Sequence, residues 1–344
     1  MENKLFIGID FSKKKFDVSV LENIGQKNFQ QKTFENCDEG YKLLWKWVSE
    51  QSKFKRFNWV FCGEHTGLYS RGLANFLYKK DLAIWLENPL RIKLCSGIKR
   101  AKTDRIDSIE IARYSVRYFD QKVDYKPESK EIEGLRLLSS YRDRLVKAKV
   151  AIHNSAKEIR SVISRNACSR FIFESSNADV SHIEKQIEAV EARMLELVMN
   201  SALKRNYQLI TSIKGIGLIT AVEILVCTDN FKTFENARQL ACYSGCAPFP
   251  NESGTINKGN RILVLCTKYA VSNLANKSLK ALLSNCARSA IQHDNFLREY
   301  YQRKISEGKL DRVVINNVRS KLIHRIFAVV KSGKPFQQDY VKSV

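Results

Sequence analysis

Leu5-Phe6-Ile7-Gly8-Ile9-Asp10 is the stretch that decides the fold. Apolar residues and one glycine run straight into an acid. That is the pattern of a buried strand delivering a carboxylate at its end. Trp59-Val60-Phe61-Cys62-Gly63-Glu64 repeats it. Asp104 and Asp107 stand three apart in a stretch read as helical, so they share a face. By itself such a pair equally marks a solvated helix start, favoured by the macrodipole. In the company of Asp10 and Glu64 it completes an oxygen-only ligand set of the kind Mg²⁺ prefers. Two hydrated Mg²⁺ ions so held, with Mn²⁺ as the alternative, activate a water and stabilise the leaving oxygen in phosphodiester cleavage.

The charge balance names the substrate class. The 344 residues carry 58 Lys and Arg against 36 Asp and Glu, a formal net charge of +22. Such an excess suits a polyanion, and nucleic acid is the commonest one. From Thr255 to Val344 there are 17 Lys and Arg against 5 Asp and Glu, so the C-terminal region is expected to carry much of the phosphate contact. The nine cysteines form no CxxC pair and the five histidines do not gather near them, which disfavours a zinc site. They read as small apolar residues in a reducing compartment. The start, Met1-Glu2-Asn3-Lys4-Leu5, has no signal-peptide character, and no apolar run approaches the ~20 residues of a membrane helix. The expected location is the cytoplasm, associated with the nucleoid.

Outward from the opening strand, alternation predicts strands over residues 4–10, 15–21 and 27–34, joined by short turns as an antiparallel meander. A helix at 38–51, a strand at 57–62, a helix at 70–79, a strand at 82–86 and helices across 89–118 follow. The fold class is α/β plus α, with an N-terminal mixed sheet flanked by helices. The order is compatible with an RNase-H-like, RuvC-like domain, although periodicity alone does not choose it over other α/β folds. The expected division is 1–125 for the catalytic domain, 126–206 for an arm and 207–344 for a mostly helical C-terminal domain.

In the arm, Leu138, Tyr141, Leu145, Ala148, Ile152, Ser155, Ile159 and Val162 trace a heptad seam. Ser175-Ser176-Asn177-Ala178-Asp179 is expected to break the helix, and Ile183, Ile187, Val190, Met194 and Leu197 mark a second one. The pair makes an antiparallel coiled-coil hairpin, which either packs within one chain or, as the favoured expectation, protrudes and holds together a homodimer, or a tetramer in a synaptic complex. From Leu209 to Leu225 the pattern is helix, glycine turn, helix. Gly215 and Gly217 permit a tight turn and close backbone approach. With Lys214 and the free N–H groups opening the second helix, they resemble a helix-hairpin-helix phosphate grip, though Gly-x-Gly turns also occur as plain connectors. A helix is expected over 234–243, a loop over 244–254, a new helix from Lys258-Gly259-Asn260-Arg261-Ile262, and helix thereafter.

Three separated motifs line up in order: Phe6–Asp10 with Gly63-Glu64-His65-Thr66-Gly67; Lys102-Thr103-Asp104-Arg105-Ile106-Asp107; and Ser212–Gly217 followed by Tyr243–Pro248 and Glu252-Ser253-Gly254. Together they resemble the DEDD transposases of the insertion-sequence 110 family, which includes site-specific DNA invertases. The resemblance implies metal-binding catalytic acids at Asp10, Glu64, Asp104 and Asp107, and a catalytic serine at Ser253. It also implies DNA partners, donor and target, and a structured bridge RNA that pairs with both. A serine hydroxyl needs activation to attack. Its loop holds neither His nor Lys, but Lys258 and Arg261 follow and can neutralise phosphate charge. Lys99, Arg100, Lys102 and Arg105 surround the acid pair and are expected on backbone phosphates. The leading reading is a transposase. The alternatives are an invertase of the same family, a RuvC-like junction-resolving nuclease, and a regulator with a decayed site.

Overall fold

The computed structural model describes residues 4–22, 29–95, 104–162, 166–247, 249–258, 261–270 and 275–337; the strands 249–258 and 261–270 are described by their backbone. The chain divides into two compact units, Met1–Pro127 and Glu128–Val344.

The first unit is built on a five-stranded mixed sheet: β1 (Leu5–Phe11), β2 (Lys15–Leu21), β3 (Gln30–Glu35), β4 (Trp59–Glu64) and β5 (Ile84–Glu87), in the spatial order β3-β2-β1-β4-β5. β1, β2 and β3 pair antiparallel, while β4 runs parallel to β1 and β5 parallel to β4. The topology is consistent with an RNase-H-like sheet. β1 is buried on both faces, as its unbroken apolar run requires. Ile7, Ile9 and Phe11 join Phe16, Val18 and Phe61 beneath α1 (Asp38–Gln51) and α2 (Leu68–Tyr78), against Leu44, Val48, Leu73 and Leu77. The opposite face carries α4 (Asp104–Arg117), with α3 (Pro89–Cys95) beside it: Phe6, Leu21 and Val60 meet Ala112 and Val116, and Cys62 and Trp85 meet Ile92, Ile111 and Tyr114.

In the second unit α5 (Lys130–Val162) and α6 (Ala167–Met199) pack as a long antiparallel pair. Arg142 reaches Glu191 at 2.6 Å and Lys149 reaches Glu184 at 3.4 Å, so seven residues forward on one helix are seven back on the other. The expected break at 175–179 is absent. Those residues lie inside α6, which starts instead at a capping box: Ser169 N–H donates to Asn166 Oδ1 at 2.8 Å, and Asn166 N–H donates to Ser169 Oγ at 3.1 Å. Ser, Asn and Asp on a solvated flank cost a helix only about 0.7 kcal/mol each, too little to interrupt 33 residues.

Beyond the arm come α7 (Lys204–Thr211), α8 (Leu218–Cys227), α9 (Ala237–Tyr243), α10 (Lys277–His293), α11 (Asn295–Ser306) and α12 (Asp311–Ser332). They share one core with the near end of the arm, in which Leu135 and Met194 are buried with Ile224, Leu283 and Leu322. The largest departure from expectation lies between α9 and α10. Instead of a loop and a helix there is an antiparallel hairpin, β6 (Phe249–Lys258) and β7 (Arg261–Ala270). Arg261-Ile262-Leu263-Val264-Leu265 is as compatible with a strand as with a helix. The two-residue Gly259-Asn260 spacer is a hairpin signal that outweighs a helix start.

Candidate functional site

Strand periodicity and one glycine bring the acids to a common level. A Cβ on Gly8 would lie 2.2 Å from Ser108 O and 2.3 Å from Ala112 N, so α4 rests directly on β1. Phe6, two residues earlier, meets Ala112 and Val116 further along the helix, and its ring contacts Phe119 at 5.9 Å. α4 therefore runs antiparallel to β1, and its first turn, with Asp104 and Asp107, overhangs the end where Asp10 sits. Side chains alternate faces, so Asp10 shares Gly8's face. Gly8 pairs with Cys62, and Glu64 lies two beyond it. Asp10, Glu64 and Asp107 are half-buried.

Register adds two acids that sequence reading missed. Asp10 pairs with Asp17, and Glu64 pairs with Glu87. Asp17, Asp10, Glu64 and Glu87 thus form one row across β2, β1, β4 and β5, all on the α4 face. The outer two have partners that offset their charge. Asp17 accepts from Thr33 Oγ1 and pairs with Lys15 at 3.5 Å. Glu87, 8% exposed, accepts from Asn88 N–H at 2.8 Å and Tyr114 OH at 2.9 Å, and pairs with Arg91 at 3.3 Å. An acid closing a predicted strand was the available signal for Glu87; for Asp17, only pairing shows that its face is the helix-covered one.

Among the described residues no three acidic, His or Cys side chains are close enough to enclose a metal ion. The side chain of Asp104 lies outside the described residues. The donor set fits Mg²⁺ in kind. It consists of hard carboxylate oxygens, and Mg²⁺ ordinarily takes one or two of these and completes its shell with water and substrate phosphate. The nearby Cys62 does not compete. Burial, then the charges of Glu87 and Glu64, push its thiol well above the usual range, so it stays neutral.

The Tyr114 phenol is likewise raised, by burial first and then by its hydrogen bond to Glu87 and that residue's charge. A raised folded-state value means that this contribution to stability is complete below about pH 10, the unfolded value, and is lost as pH rises further. Tyr114→Phe is expected to remove part of that alkaline decline. It should also lower neutral-pH stability by about 1–2 kcal/mol, by taking a donor from a buried carboxylate. Unfolding midpoints of both proteins against pH check this.

Lys99, Arg100 and Lys102 lie outside the described residues, and Arg105 is placed in α4 by its backbone alone. Lys214 is exposed in the turn between α7 and α8. The two glycines there differ. Gly215 has φ +93° and packs inward, where a Cβ would lie 2.7 Å from Ala290 N and from Cys286 O. Gly217 caps α8 and has open space around its Cβ position. Gly215 is thus required by packing against α10, and Gly217 leaves the helix start approachable. Ser253 lies on β6 opposite Cys266, and Lys258 and Arg261 pair at the end of the hairpin. The Tyr243 ring meets that of Phe234 at 5.4 Å, tilted by 58°.

Both stretches have counterparts in known proteins. A DEDD transposase family model matches residues 7–162, and one described as "Transposase IS116/IS110/IS902 family" matches residues 207–302. The chain is similar to the pilin gene-inverting protein of Moraxella bovis, 25% identical over 341 residues and 98% of each chain. Its similarity to the Moraxella lacunata protein of the same name is also 25%, over 342 residues and 98% of each chain. With the transposase for insertion sequence element IS1111A of Coxiella burnetii it shares 26% identity over 250 residues, 64% of each chain. One match takes in Asp10, Glu64, Asp104 and Asp107 and the other takes in Ser253; on both counts the chain belongs to the IS110 family of transposases.

Proposed function

We propose that this protein cuts and rejoins DNA strands for a mobile element by way of a covalent phosphoserine. What carries the reading is the row of carboxylates on the α4 face of the sheet, in a chain whose second matched stretch holds Ser253 on a strand of the β6–β7 hairpin. Asp10, Glu64, Asp104 and Asp107 would hold divalent ions, most simply Mg²⁺, which when bound polarise the scissile phosphate. Ser253 Oγ attacks phosphorus, the bond from phosphorus to the deoxyribose oxygen breaks, and the serine proton passes to that leaving oxygen. Because the phosphodiester energy is kept in the Ser253–phosphate bond, the reverse attack by a new strand end rejoins DNA without a further energy source. Lys258 and Arg261 offset charge on the phosphate, and Lys214 with the N-terminus of α8 grips the backbone.

A bridge RNA pairing with donor and target DNA fits the basic C-terminal region. Pairing of two copies through the arm fits its exposed distal half, where Phe171 is 71% and Val150 48% exposed. Two copies would let the acids of one protomer serve the serine of the other. The second reading, inversion of a resident DNA segment, is favoured by the end-to-end similarity to the pilin gene-inverting proteins.

The test is incubation of the protein, with any RNA that co-purifies, on DNA carrying the element ends. Wild type is expected to form a denaturation-resistant protein–DNA adduct, and Ser253→Ala none. Ser253→Ala that recombines at the wild-type rate removes the serine step, and no enriched RNA from beside the gene removes the RNA guide. Free hydrolysed ends without rejoining would favour a junction-resolving nuclease.

A further inference from the structure

Arg319 lies in the middle of α12 and is 8% exposed. Its Nε and Nη1 are buried and meet no hydrogen-bond acceptor among the described residues. Its neighbours one turn away on the helix include Ile315, Leu322 and Ile323, all buried and apolar. Three of the helices packed on α12, namely α7, α9 and α10, contain no Asp or Glu. The same helix shows how this chain otherwise treats such a group: Arg325 pairs at 2.6 Å with Asp294, which is fully buried. An unpaired buried charge is strongly unfavourable, and a guanidinium cannot relieve the strain by losing its proton. Arg319 thus holds two enclosed donors that no described residue satisfies, while Nη2 is not among the enclosed atoms.

We propose that Arg319 is an anion-binding residue that takes a backbone phosphate of the bound nucleic acid. The proposal rests on the nucleic-acid reading above and assigns part of its grip. Asn316, one turn earlier, donates from Nδ2 to Cys246 O at 2.8 Å. This part of α12 is thereby tied to the segment that enters β6 at Phe249, the strand carrying Ser253. The region from Thr255 onward has 17 Lys and Arg against 5 Asp and Glu, so a polyanion is the anion its field gathers. The remaining nitrogen, Nη2, is the one a phosphate oxygen would meet, as a charge-assisted hydrogen bond.

The experiment uses full-length protein as wild type, Arg319→Met and Arg319→Lys. It measures the thermal midpoint and the affinity for a mixed-sequence DNA duplex and for an RNA stem-loop across a salt series. Arg319→Met is expected to keep or raise the midpoint, because it removes an unpaired buried charge. It should also weaken binding about tenfold and flatten the slope of log affinity against log salt by about one, the signature of one lost phosphate. Arg319→Lys should keep the slope. Loss confined to the duplex assigns the phosphate to DNA, and loss confined to the stem-loop assigns it to RNA. A lowered midpoint with unchanged affinity and slope makes Arg319 structural and overturns the proposal. So does a chain ending at Phe336 that binds nucleic acid normally but loses midpoint and no longer responds to Arg319→Met, because its own tail would then be the counter-ion. If wild type binds neither probe, the nucleic-acid reading itself falls; if wild type binds and Arg319→Met binds equally, only this inference does.

Discussion

Asp10→Asn leaves a folded protein whose strand cleavage falls by about 10³-fold or more. The amide matches the carboxylate in shape and keeps one acceptor oxygen, so β1 and its pairing with Asp17 are undisturbed. What is lost is the negative charge in the centre of the row, where Asp10 and Glu64 stand between Asp17 and Glu87. Carboxylates gathered on one face repel one another. Neutralising one should therefore keep or raise the thermal midpoint without metal, and reduce the gain in midpoint on adding Mg²⁺. Activity and stability then move in opposite directions, which a folding defect cannot imitate. Cleavage by Asp10→Asn within about tenfold of wild type would remove Asp10 from the metal site.

Gly8→Ala is expected to unsettle the first unit by about 3 kcal/mol, near the upper end for an overpacked core. A single methyl there would lie 2.2 Å from Ser108 O, 2.3 Å from Ala112 N and 2.7 Å from Ala112 Cβ. Two of these are backbone atoms inside α4, which cannot rotate away, so the helix must lift off β1. The shift carries Asp104 and Asp107 away from Asp10 and Glu64, so cleavage should fall even at temperatures where the variant is folded. The readout is selective. The chain's four tryptophans, at 45, 47, 59 and 85, all lie in the first unit, so intrinsic fluorescence follows that unit alone. Its midpoint should drop by about 10 °C. A variant with an unchanged midpoint would mean that α4 does not rest on Gly8.

The elements that were legible in the sequence are those whose signal is local. The strand at 15–21 and the helix at 38–51 appear with the bounds that alternation and amphipathic spacing give. Asp10 and Glu64 were visible because a carboxylate closing a buried apolar run is costly unless a cation or a hydrogen-bond donor meets it there. The hairpin β6–β7 was not legible, because Arg261–Ala270 is apolar with neither period dominant and cross-strand pairing decides its state. The break expected at 175–179 is absent for a related reason: polar residues interrupt a helix only when better hydrogen bonds exist elsewhere, and here the competing cap is at Asn166.

By itself, the sequence determined a basic α/β-plus-α chain with acids at two strand ends and a transposase-like order of motifs, because periodicity, composition and spacing are written along the chain. Only the tertiary structure decided that α4 crosses the sheet against β1, that Asp17 and Glu87 extend the acid row, that Gly215 is fixed by α10, and that Arg319 meets no counter-ion among the described residues. Each of these depends on which face meets which neighbour. That choice is made by long-range burial and pairing, which no local pattern records.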